Sequence, residues 1–269
     1  MRSLLTVLFV LLAAAAMIVA VPTMWSTVHV VSADGFADAA SRAAEKPEVQ
    51  EFFAAQIADE VAQSTDLPIA GAAVAPLATS YTQSPAFVTD FTEIARQQHE
   101  WLFTEPAPGT SPHEMDLDIT PMVNQVLSQS PVPVRIDHAL TIEVDQSRLT
   151  AGSMVETGRQ VTLIGWLSLL VAAIAALIAL VLGRNRSAVV AWLGLGAILA
   201  GVVSVLASQY LQSRAADSVS GSDLSTQQTV KVVAGDVLHG LTVTSWVVAA
   251  VGLAVTLIAA VAMLVVGRR

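Results

Sequence analysis

The chain has 269 residues, of which 54% are hydrophobic and only 13% are charged. That charged share is about half of what an average soluble domain carries, so part of the chain is expected to lie in lipid. The chain has no cysteine, which excludes disulfides, thiolate metal sites and cysteine nucleophiles. Its formal net charge of −9 argues against a nucleic-acid-binding protein, which needs a basic face to meet phosphates.

Four long apolar runs divide the chain, and none of them contains a charged side chain. They cover residues 4–21, 161–182, 188–206 and 243–266. Each is close to the ~20 residues with which a helix crosses ~30 Å of hydrocarbon. In lipid a helix satisfies all of its own backbone groups, so the sequence predicts four transmembrane helices.

The charges are divided unevenly between the segments outside these runs. Residues 1–3, 183–187 and 267–269 contain five arginines and no acidic residue, whereas all 22 acidic residues fall in 22–160 and 207–242. The five are Arg2, Arg184, Arg186, Arg268 and Arg269. Short cytoplasmic loops are enriched in basic residues. We therefore expect a multi-pass plasma-membrane protein with both termini and the 183–187 turn in the cytoplasm. Segments 22–160 and 207–242 would then be extracytoplasmic.

The first apolar run has two interpretations. Met1 and Arg2 followed by an apolar stretch are also the usual start of a cleaved signal peptide. However, the run is long for the apolar part of a signal peptide, and PTMWSTVHVV after it offers no small-x-small cleavage site. We therefore expect residues 4–21 to be an uncleaved signal anchor that forms the first span.

The first half of the 22–160 segment has helical periodicity. After Pro47, which suits a first helical turn, apolar residues recur every four positions and share one helix face. They are Val49, Phe53, Ile57 and Val61. A shorter helix before them would be capped by Ser32 or Asp34.

Two more helices are expected in this half. The Ala-rich stretch 67–83 predicts a helix with a kink or break near Pro76. The next helix would begin with Ser84 as its N-cap and Pro85 at its first position. Its apolar face would consist of Phe87, Phe91, Ile94, Trp101 and Leu102.

The period changes in the second half of the segment. Residues 106–112 are rich in Pro and Gly and predict a loop, and residues 115–119 alternate between apolar and acidic. Thr120 and Pro121 would open a short helix. Two further alternating stretches, 132–136 and 140–144, predict a β-hairpin or an edge pair. The expected fold is therefore a membrane protein of mainly α class, with a mostly helical extracytoplasmic domain that includes a small β element.

The second polar segment, 207–242, is rich in Ser and Thr and has few large apolar residues. It predicts a loop with at most one short helix.

Two groups of residues could carry chemistry. His113, Glu114, Asp116 and Asp118 lie close in sequence, and imidazole and carboxylates can bind a divalent metal. Their spacing matches no known metal loop, and the start of a solvated acidic strand explains it better. His99 could pair with a carboxylate or act as a base, although a histidine on the helix surface or a satisfied packing histidine explains it better.

The sequence has no G-x-S-x-G or S-x-x-K motif of a serine hydrolase and no Gly-rich phosphate loop. We therefore expect no enzyme, and we assign no catalytic, cofactor-binding or metal-binding residue and no cofactor.

The four runs lack the mid-membrane charges that usually mark ion or proton pathways. They do have small residues four apart, which lets helices approach closely, although an Ala- and Gly-rich composition also produces such pairs by chance. The pairs are Gly196 with Ala200, Ala197 with Gly201, and Gly252 with Thr256 and then Ala260. Trp166, Trp192 and Trp246 fall near the ends of the runs, as interfacial aromatic residues do.

The order of these features is similar to that of a known group. The first span is followed by Phe36 to Ala40 and Pro47 to Val49, then by S-P-x-F at Ser84 to Phe87, and then by D-L-D-I-T-P at Asp116 to Pro121. With three closing spans and an arginine turn, the chain resembles uncharacterised four-span integral membrane proteins of actinobacteria. The group often has Trp where this chain has Phe91. The resemblance supports the four-span architecture and implies no activity.

These features favour a protein that acts by interaction with another protein in the membrane or envelope, as an accessory, assembly or scaffolding subunit. The alternative is a receptor-like module that binds a small ligand or cation in the extracytoplasmic domain. A transport role would need a polar path that the spans do not show. The expected partners are the lipid bilayer and a protein, not nucleic acid.

Overall fold

The structure is a computed structural model, which describes residues 2–64, 70–106, 109, 114–118, 120, 122, 124–125, 141–145, 150–218 and 224–266. The chain divides into two compact units. The first, called the span unit here, consists of Met1–Val28, Arg159–Arg214 and Val237–Arg269. The second, called the inter-span unit, consists of His29–Gly158 and Ala215–Asp236.

The described elements are mostly helical. In chain order they are α1 (Arg2–Ser26), a π-helical turn (Thr27–Val31), α2 (Ala33–Ala44), α3 (Pro47–Ser64), α4 (Ala70–Thr82), α5 (Pro85–Phe103), β1 (Glu114–Asp118), β2 (Thr141–Asp145), α6 (Val155–Leu182), α7 (Arg186–Ser218) and α8 (Leu224–Val266).

Four helices are long and apolar enough to cross a membrane, which confirms the predicted number of spans. These stretches are Arg2–Val31, Val155–Leu182, Arg186–Arg214 and Val237–Val265. Their outward faces are apolar: Leu4, Val181 and Ile258 are 77%, 79% and 70% exposed. Apolar faces of this extent suit a hydrocarbon surrounding far better than water.

The first span is longer than its apolar run, because α1 continues through Pro22 to Ser26 and then widens into the π-helical turn. Proline leaves a carbonyl one turn earlier without its usual N–H donor. Nearby, the Thr23 hydroxyl donates to the Val19 carbonyl oxygen across 2.7 Å, and the Thr27 hydroxyl donates to Thr23 across 2.9 Å. Both bonds go to carbonyls other than that of Ile18, which is the one Pro22 leaves without its N–H donor, and the helix continues beyond residue 21.

The prediction of a loop over 207–242 is wrong for the residues that the structure describes. Helix α7 runs on to Ser218, and α8 begins at Leu224. A composition rich in Ser, Gln and Ala is compatible with a helix when that helix continues a long apolar one.

Helices α2 and α5 of the inter-span unit begin after the N-cap residues that the sequence predicts. Ser32 caps α2, where its hydroxyl accepts from the amide of Gly35, and Ser84 caps α5, where its hydroxyl accepts from the amide of Phe87. Asp34, the other cap candidate, lies in the first turn of α2. Both caps satisfy amides that the first helical turn leaves without a partner.

Helix α4 passes through Pro76 without ending. The predicted break therefore does not occur. Beside the proline, the Thr79 hydroxyl donates to the Ala75 carbonyl oxygen across 2.9 Å.

The core of the inter-span unit forms where α2, α3, α4 and α5 meet. Its buried members are Ala44, Tyr81, Phe87 and Met122, and Phe53, Ile57, Phe91 and Ile94 are among the side chains that pack against them. Val49 is also fully buried, so the four-residue spacing in α3 does mark the inner face. The side chain of Val61 lies outside the described residues.

Strands β1 and β2 pair antiparallel, with Glu114 opposite Asp145 and Asp118 opposite Thr141. The alternating stretch 140–144 thus overlaps β2, whose partner is β1. The other predicted stretch, 132–136, lies outside the described residues. Thr120, Met122, Asn124 and Gln125 have helical backbone, in the region where a short helix is predicted.

Candidate functional site

His99 is the most strongly constrained titratable side chain of α5. The helix buries Phe87, Ala95 and His99, which lie at spacings of eight and four residues and therefore share one face. His99 is only 5% exposed. The structure therefore places His99 in the packed interior and not on the helix surface.

The imidazole of His99 contacts two main-chain oxygens of the π-helical turn. Its Nε2 lies 3.1 Å from the Val30 oxygen and 3.0 Å from the Val31 oxygen. Carbonyl oxygens only accept hydrogen bonds, so Nε2 carries the proton and donates it to the pair. The last carbonyls of a helix lack partners within the helix, and His99 supplies one for this end.

Two aromatic rings hold the imidazole in place. Phe103 stacks on it with ring centroids 4.4 Å apart and planes 13° apart, and Phe36 of α2 packs at 5.2 Å with a tilt of 44°. Both rings fix the orientation that the Nε2 bond requires. We call this arrangement of Val30, Val31, Phe36, His99 and Phe103 the His99 junction.

Residues 152–154, which precede α6, hydrogen-bond to the C-terminal end of α5. The amide of Gly152 donates to the Trp101 oxygen across 2.8 Å, and the amide of Met154 donates to the Leu102 oxygen across 2.9 Å. These bonds satisfy the last carbonyls of α5. Gly152 has φ +72°, a conformation that glycine adopts without the steric penalty of a Cβ atom.

The residues leading into α6 also touch the His99 junction. A methyl group built on Gly158 would lie 3.0 Å from the Phe103 ring and 3.2 Å from the Val31 side chain. Three stretches distant in sequence therefore converge on His99. Because Nε2 is committed to main-chain oxygens, this nitrogen joins chain segments and is not available as a base.

A second polar pair is built into the aromatic core. The hydroxyl of the fully buried Tyr81 donates to Asp90 Oδ2 across 2.6 Å. Burial, and then the bond to Asp90 and its negative charge, hold the pKa of Tyr81 well above its ordinary value of 10.0. The Tyr81 ring meets Phe87 edge-on at 5.7 Å, so the hydrogen bond also fixes a ring in the core.

One ion pair joins α2 to α5 on the surface. Arg96 Nη1 lies 3.3 Å from Asp34 Oδ1, with the two side chains 44% and 88% exposed. A pair that is this exposed contributes little to stability.

A cleft of about 300 Å³ lies along α3 and α4. Its lining includes the small side chains of Ala54, Ala55, Ala58 and Ala75. The polar residues of the lining are Gln50, Glu51, Thr79, Thr82 and Gln83. A cleft with this lining has the space and the polar groups for a small molecule.

The predicted acidic group is only partly described. Glu114, Asp116 and Asp118 lie on β1, where Asp116 is opposite Glu143, and His113 lies outside the described residues. Within the part of the chain that the structure describes, no three His, Asp or Glu side chains are grouped as metal ligands would be.

In the span unit, α7 and α8 pack antiparallel along small side chains. A methyl group on Gly201 would lie 2.5 Å from the Ser245 oxygen and 2.9 Å from the Ala249 methyl group. The Ser208 and Thr242 hydroxyls lie 3.0 Å apart. We call this contact the small-residue seam. Its members are Gly194, Gly201 and Ser208 of α7 and Thr242, Ser245, Ala249, Gly252 and Thr256 of α8.

Most of the small residues paired in the sequence analysis lie at this contact. Gly201, Gly252 and Thr256 belong to the seam, and a methyl group on Gly252 would lie 2.9 Å from the Ala197 side chain. A methyl group on Gly196 would instead lie 2.9 Å from the Ala14 side chain of α1. The pairs named in the sequence analysis do not include Gly194 or Ser208, so sequence reasoning missed both. The seven-residue spacing of Gly194, Gly201 and Ser208 is the signal that could have found them.

The polar residues that are buried in the described part of the molecule bond to the protein itself. They are Thr82, His99, Ser204, Ser208 and Ser245. Four are hydroxyls that donate to main-chain oxygens three or four residues earlier, at 2.7–3.2 Å. These four hydroxyls therefore bond within their own helices.

No protein-family model, curated protein or solved structure was found to match this sequence.

Proposed function

We propose that the chain is a multi-pass plasma-membrane protein that acts by binding another protein, as an accessory or scaffolding subunit of envelope assembly. Residues 1–3, 183–187 and 267–269 face the cytoplasm, and residues 22–160 and 207–242 lie on the opposite side. The charge distribution supports this orientation. The span unit has seven arginines and no acidic residue, and all 22 acidic residues belong to the inter-span unit.

One observation carries the interaction role. Five buried polar residues, Thr82, His99, Ser204, Ser208 and Ser245, bond to the protein's own main chain. A catalytic group must instead reach the proton or atom that it transfers. This use of polar groups suits a scaffold whose function lies on its outer surfaces.

The lengths of the last two helices support the same role. Helices α7 and α8 have 33 and 43 residues, which corresponds to about 50 and 64 Å at about 1.5 Å per residue. A hydrocarbon core is only about 30 Å thick. The excess length gives both helices surface beyond the lipid, where a protein partner can bind.

The test is purification from native membranes with a tag after Arg269. Membranes are solubilised in mild detergent and the co-purifying proteins are identified by mass spectrometry. Because the chain has no cysteine, a Lys231→Cys variant allows crosslinking from one exposed site of α8. We expect one protein to co-purify in a fixed ratio and to crosslink to the introduced thiol, with no crosslink in the cysteine-free parent. Recovery of the protein alone, with no crosslinked product, would contradict the proposal.

The cleft along α3 and α4 favours one alternative, a receptor-like module for a small ligand or cation. Glu51 and the amides of Gln50 and Gln83 would bind a polar ligand beside the alanine side chains of the lining. The melting temperature of the purified protein is measured with Mg²⁺, with Ca²⁺ and with single amino acids. A receptor is stabilised by one of these, and Ala55→Trp, which fills the cleft, abolishes the effect while Gln56→Trp outside the lining does not.

A further inference from the structure

One end of the span unit brings exposed arginines together from two parts of the chain. A methyl group built on Gly183 would lie 3.7 Å from Cγ2 of Thr6, so the first turn of α1 lies beside the turn between α6 and α7. The Thr6 hydroxyl donates to the Arg2 carbonyl oxygen across 3.0 Å, which fixes Arg2 one turn away. Arg184 and Arg186 follow Gly183 closely in the chain. All three arginines are exposed, and we call them the arginine end.

The surroundings of the arginine end are free of negative charge. The sequence of the span unit contains no Asp or Glu, so these guanidinium groups have no carboxylate partner within their own unit. Helix α7 starts here and has no acidic residue in its first turn, where Asn185 Oδ1 accepts from the amide of Ala188 across 3.2 Å. The C-terminal end of α6 at Leu182 lies at the same turn as the start of α7, so the two helix dipoles oppose each other and the positive charge here comes from the arginines.

Phosphate is the anion that fits this end. A guanidinium group donates two parallel hydrogen bonds to phosphate oxygens, and it loses less hydration than an ammonium group in doing so. The arginines lie at the ends of helices that are long and apolar enough to cross a membrane. At that position the nearest phosphates are lipid headgroups, and basic clusters beside a span attract anionic lipids.

We propose that the arginine end binds the phosphate groups of anionic phospholipids and concentrates these lipids around the protein. This inference rests on the proposed function in one respect, namely that the four helices cross a bilayer. It adds a lipid class as a binding partner, which the arrangement of the spans does not require.

The full chain is reconstituted in bilayers of equal parts phosphatidylglycerol and phosphatidylcholine and then extracted in mild detergent. The lipids that remain bound are quantified by native mass spectrometry. We expect the ratio of bound phosphatidylglycerol to bound phosphatidylcholine, which is the enrichment measured here, to be well above one. Each basic residue near an anionic surface strengthens binding about fivefold, so the double variant Arg184→Gln/Arg186→Gln should lower the affinity for phosphatidylglycerol roughly tenfold or more and bring this ratio close to one. Arg2, Arg268 and Arg269 remain in this variant and preserve the charge bias.

Arg214→Gln is the matched control, because it removes an exposed arginine from the opposite end of α7. It should leave the enrichment unchanged. Equal loss in Arg214→Gln and in the double variant, or no enrichment in the parent protein, would overturn the proposal. Failure of the parent protein to insert into bilayers at all would instead contradict the proposed membrane function, so the two failures are distinguishable.

Discussion

Gly194 of α7 and Gly252 of α8 approach so closely that a methyl group on either would lie 2.7 Å from the carbonyl oxygen of the other. The contact is reciprocal, so neither helix can carry a side chain at this point. Close backbone approach of this kind is how helices in lipid gain packing energy without a hydrophobic effect between them.

Replacing Gly252 by Leu should therefore separate α7 from α8. A side chain forced into a packed interface costs about 1–3 kcal/mol, and more when backbone atoms oppose it. We expect a clear fall in the melting temperature of the detergent-solubilised protein. This temperature is measured by fluorescence-detected size-exclusion chromatography of heated samples.

Ala254→Leu is the control for this substitution, because Ala254 is exposed on the same helix two residues further on. It should leave the melting temperature unchanged. Equal melting temperatures for the two variants would show that the seam does not hold the helices together.

Substitution at His99 should loosen the π-helical turn. His99→Leu removes the donor that serves the oxygens of Val30 and Val31, and a buried acceptor left without its partner costs about 1–3 kcal/mol. His99→Gln keeps an N–H donor and should cost less. Thermal unfolding measures the stability, and hydrogen exchange of the amides at 27–36 locates the change.

Glu100→Gln tests whether any change at this position of α5 has the same effect, since Glu100 is the exposed neighbour of His99. If His99→Leu left the exchange at 27–36 as slow as in the parent protein, the role assigned to the imidazole would be wrong.

The Tyr81–Asp90 pair should make the fold sensitive to alkali. The pKa of Tyr81 is raised in the folded state, whereas in the unfolded chain it returns to about 10.0. Above pH 10 the unfolded chain therefore loses a proton that the folded protein keeps, so stability is complete below this pH and falls as the pH rises. The decline should be shallower in Tyr81→Phe, which is measured as the difference in melting temperature between the two proteins from pH 8 to pH 11.

Tyr81→Phe should also be less stable than the parent at pH 8, because Asp90 loses its donor. A constant difference between the two proteins across the whole pH range would exclude Tyr81 as the source of the alkaline loss.

Single cysteines can test the proposed orientation directly, because the chain has none of its own. Lys231→Cys should react with a membrane-impermeant maleimide on intact cells, whereas Asn185→Cys in the arginine turn should react only after permeabilisation. Both positions are exposed, so access is set by the membrane and not by burial. The reverse pattern would invert the proposed topology.

Sequence reasoning succeeded where structure depends on neighbours in the chain. The caps Ser32 and Ser84 satisfy amides three residues away. A long apolar run is likewise a local feature, and it predicts a transmembrane helix without reference to the rest of the chain. It failed where the determinants are remote. His99 meets its oxygen partners across 68 and 69 residues, so no local pattern distinguishes it from a surface histidine.

The extension of helices beyond their apolar runs was the other source of error. The 207–242 segment has a weak apolar signal, yet α7 and α8 extend into it because adding residues to an existing helix is much easier than starting one. The π-helical turn was missed for a related reason, since no residue type specifies it.

The π-helical turn at Thr27–Val31 has a consequence for how this chain can vary in length. A π-helix bonds to the fifth residue along instead of the fourth, so the turn holds one residue more than an α-helix would need. Deleting a single residue there would restore α geometry and leave what precedes and follows in its register, because the π turn already accommodates the extra residue. The wider turn would be lost, and with it the placement of the Val30 and Val31 carbonyl oxygens that face His99. A deletion within α1 would instead rotate everything that follows by about 100°. The Thr27–Val31 turn is therefore the place in the first span where a change of one residue in length disturbs the helix least and the His99 junction most.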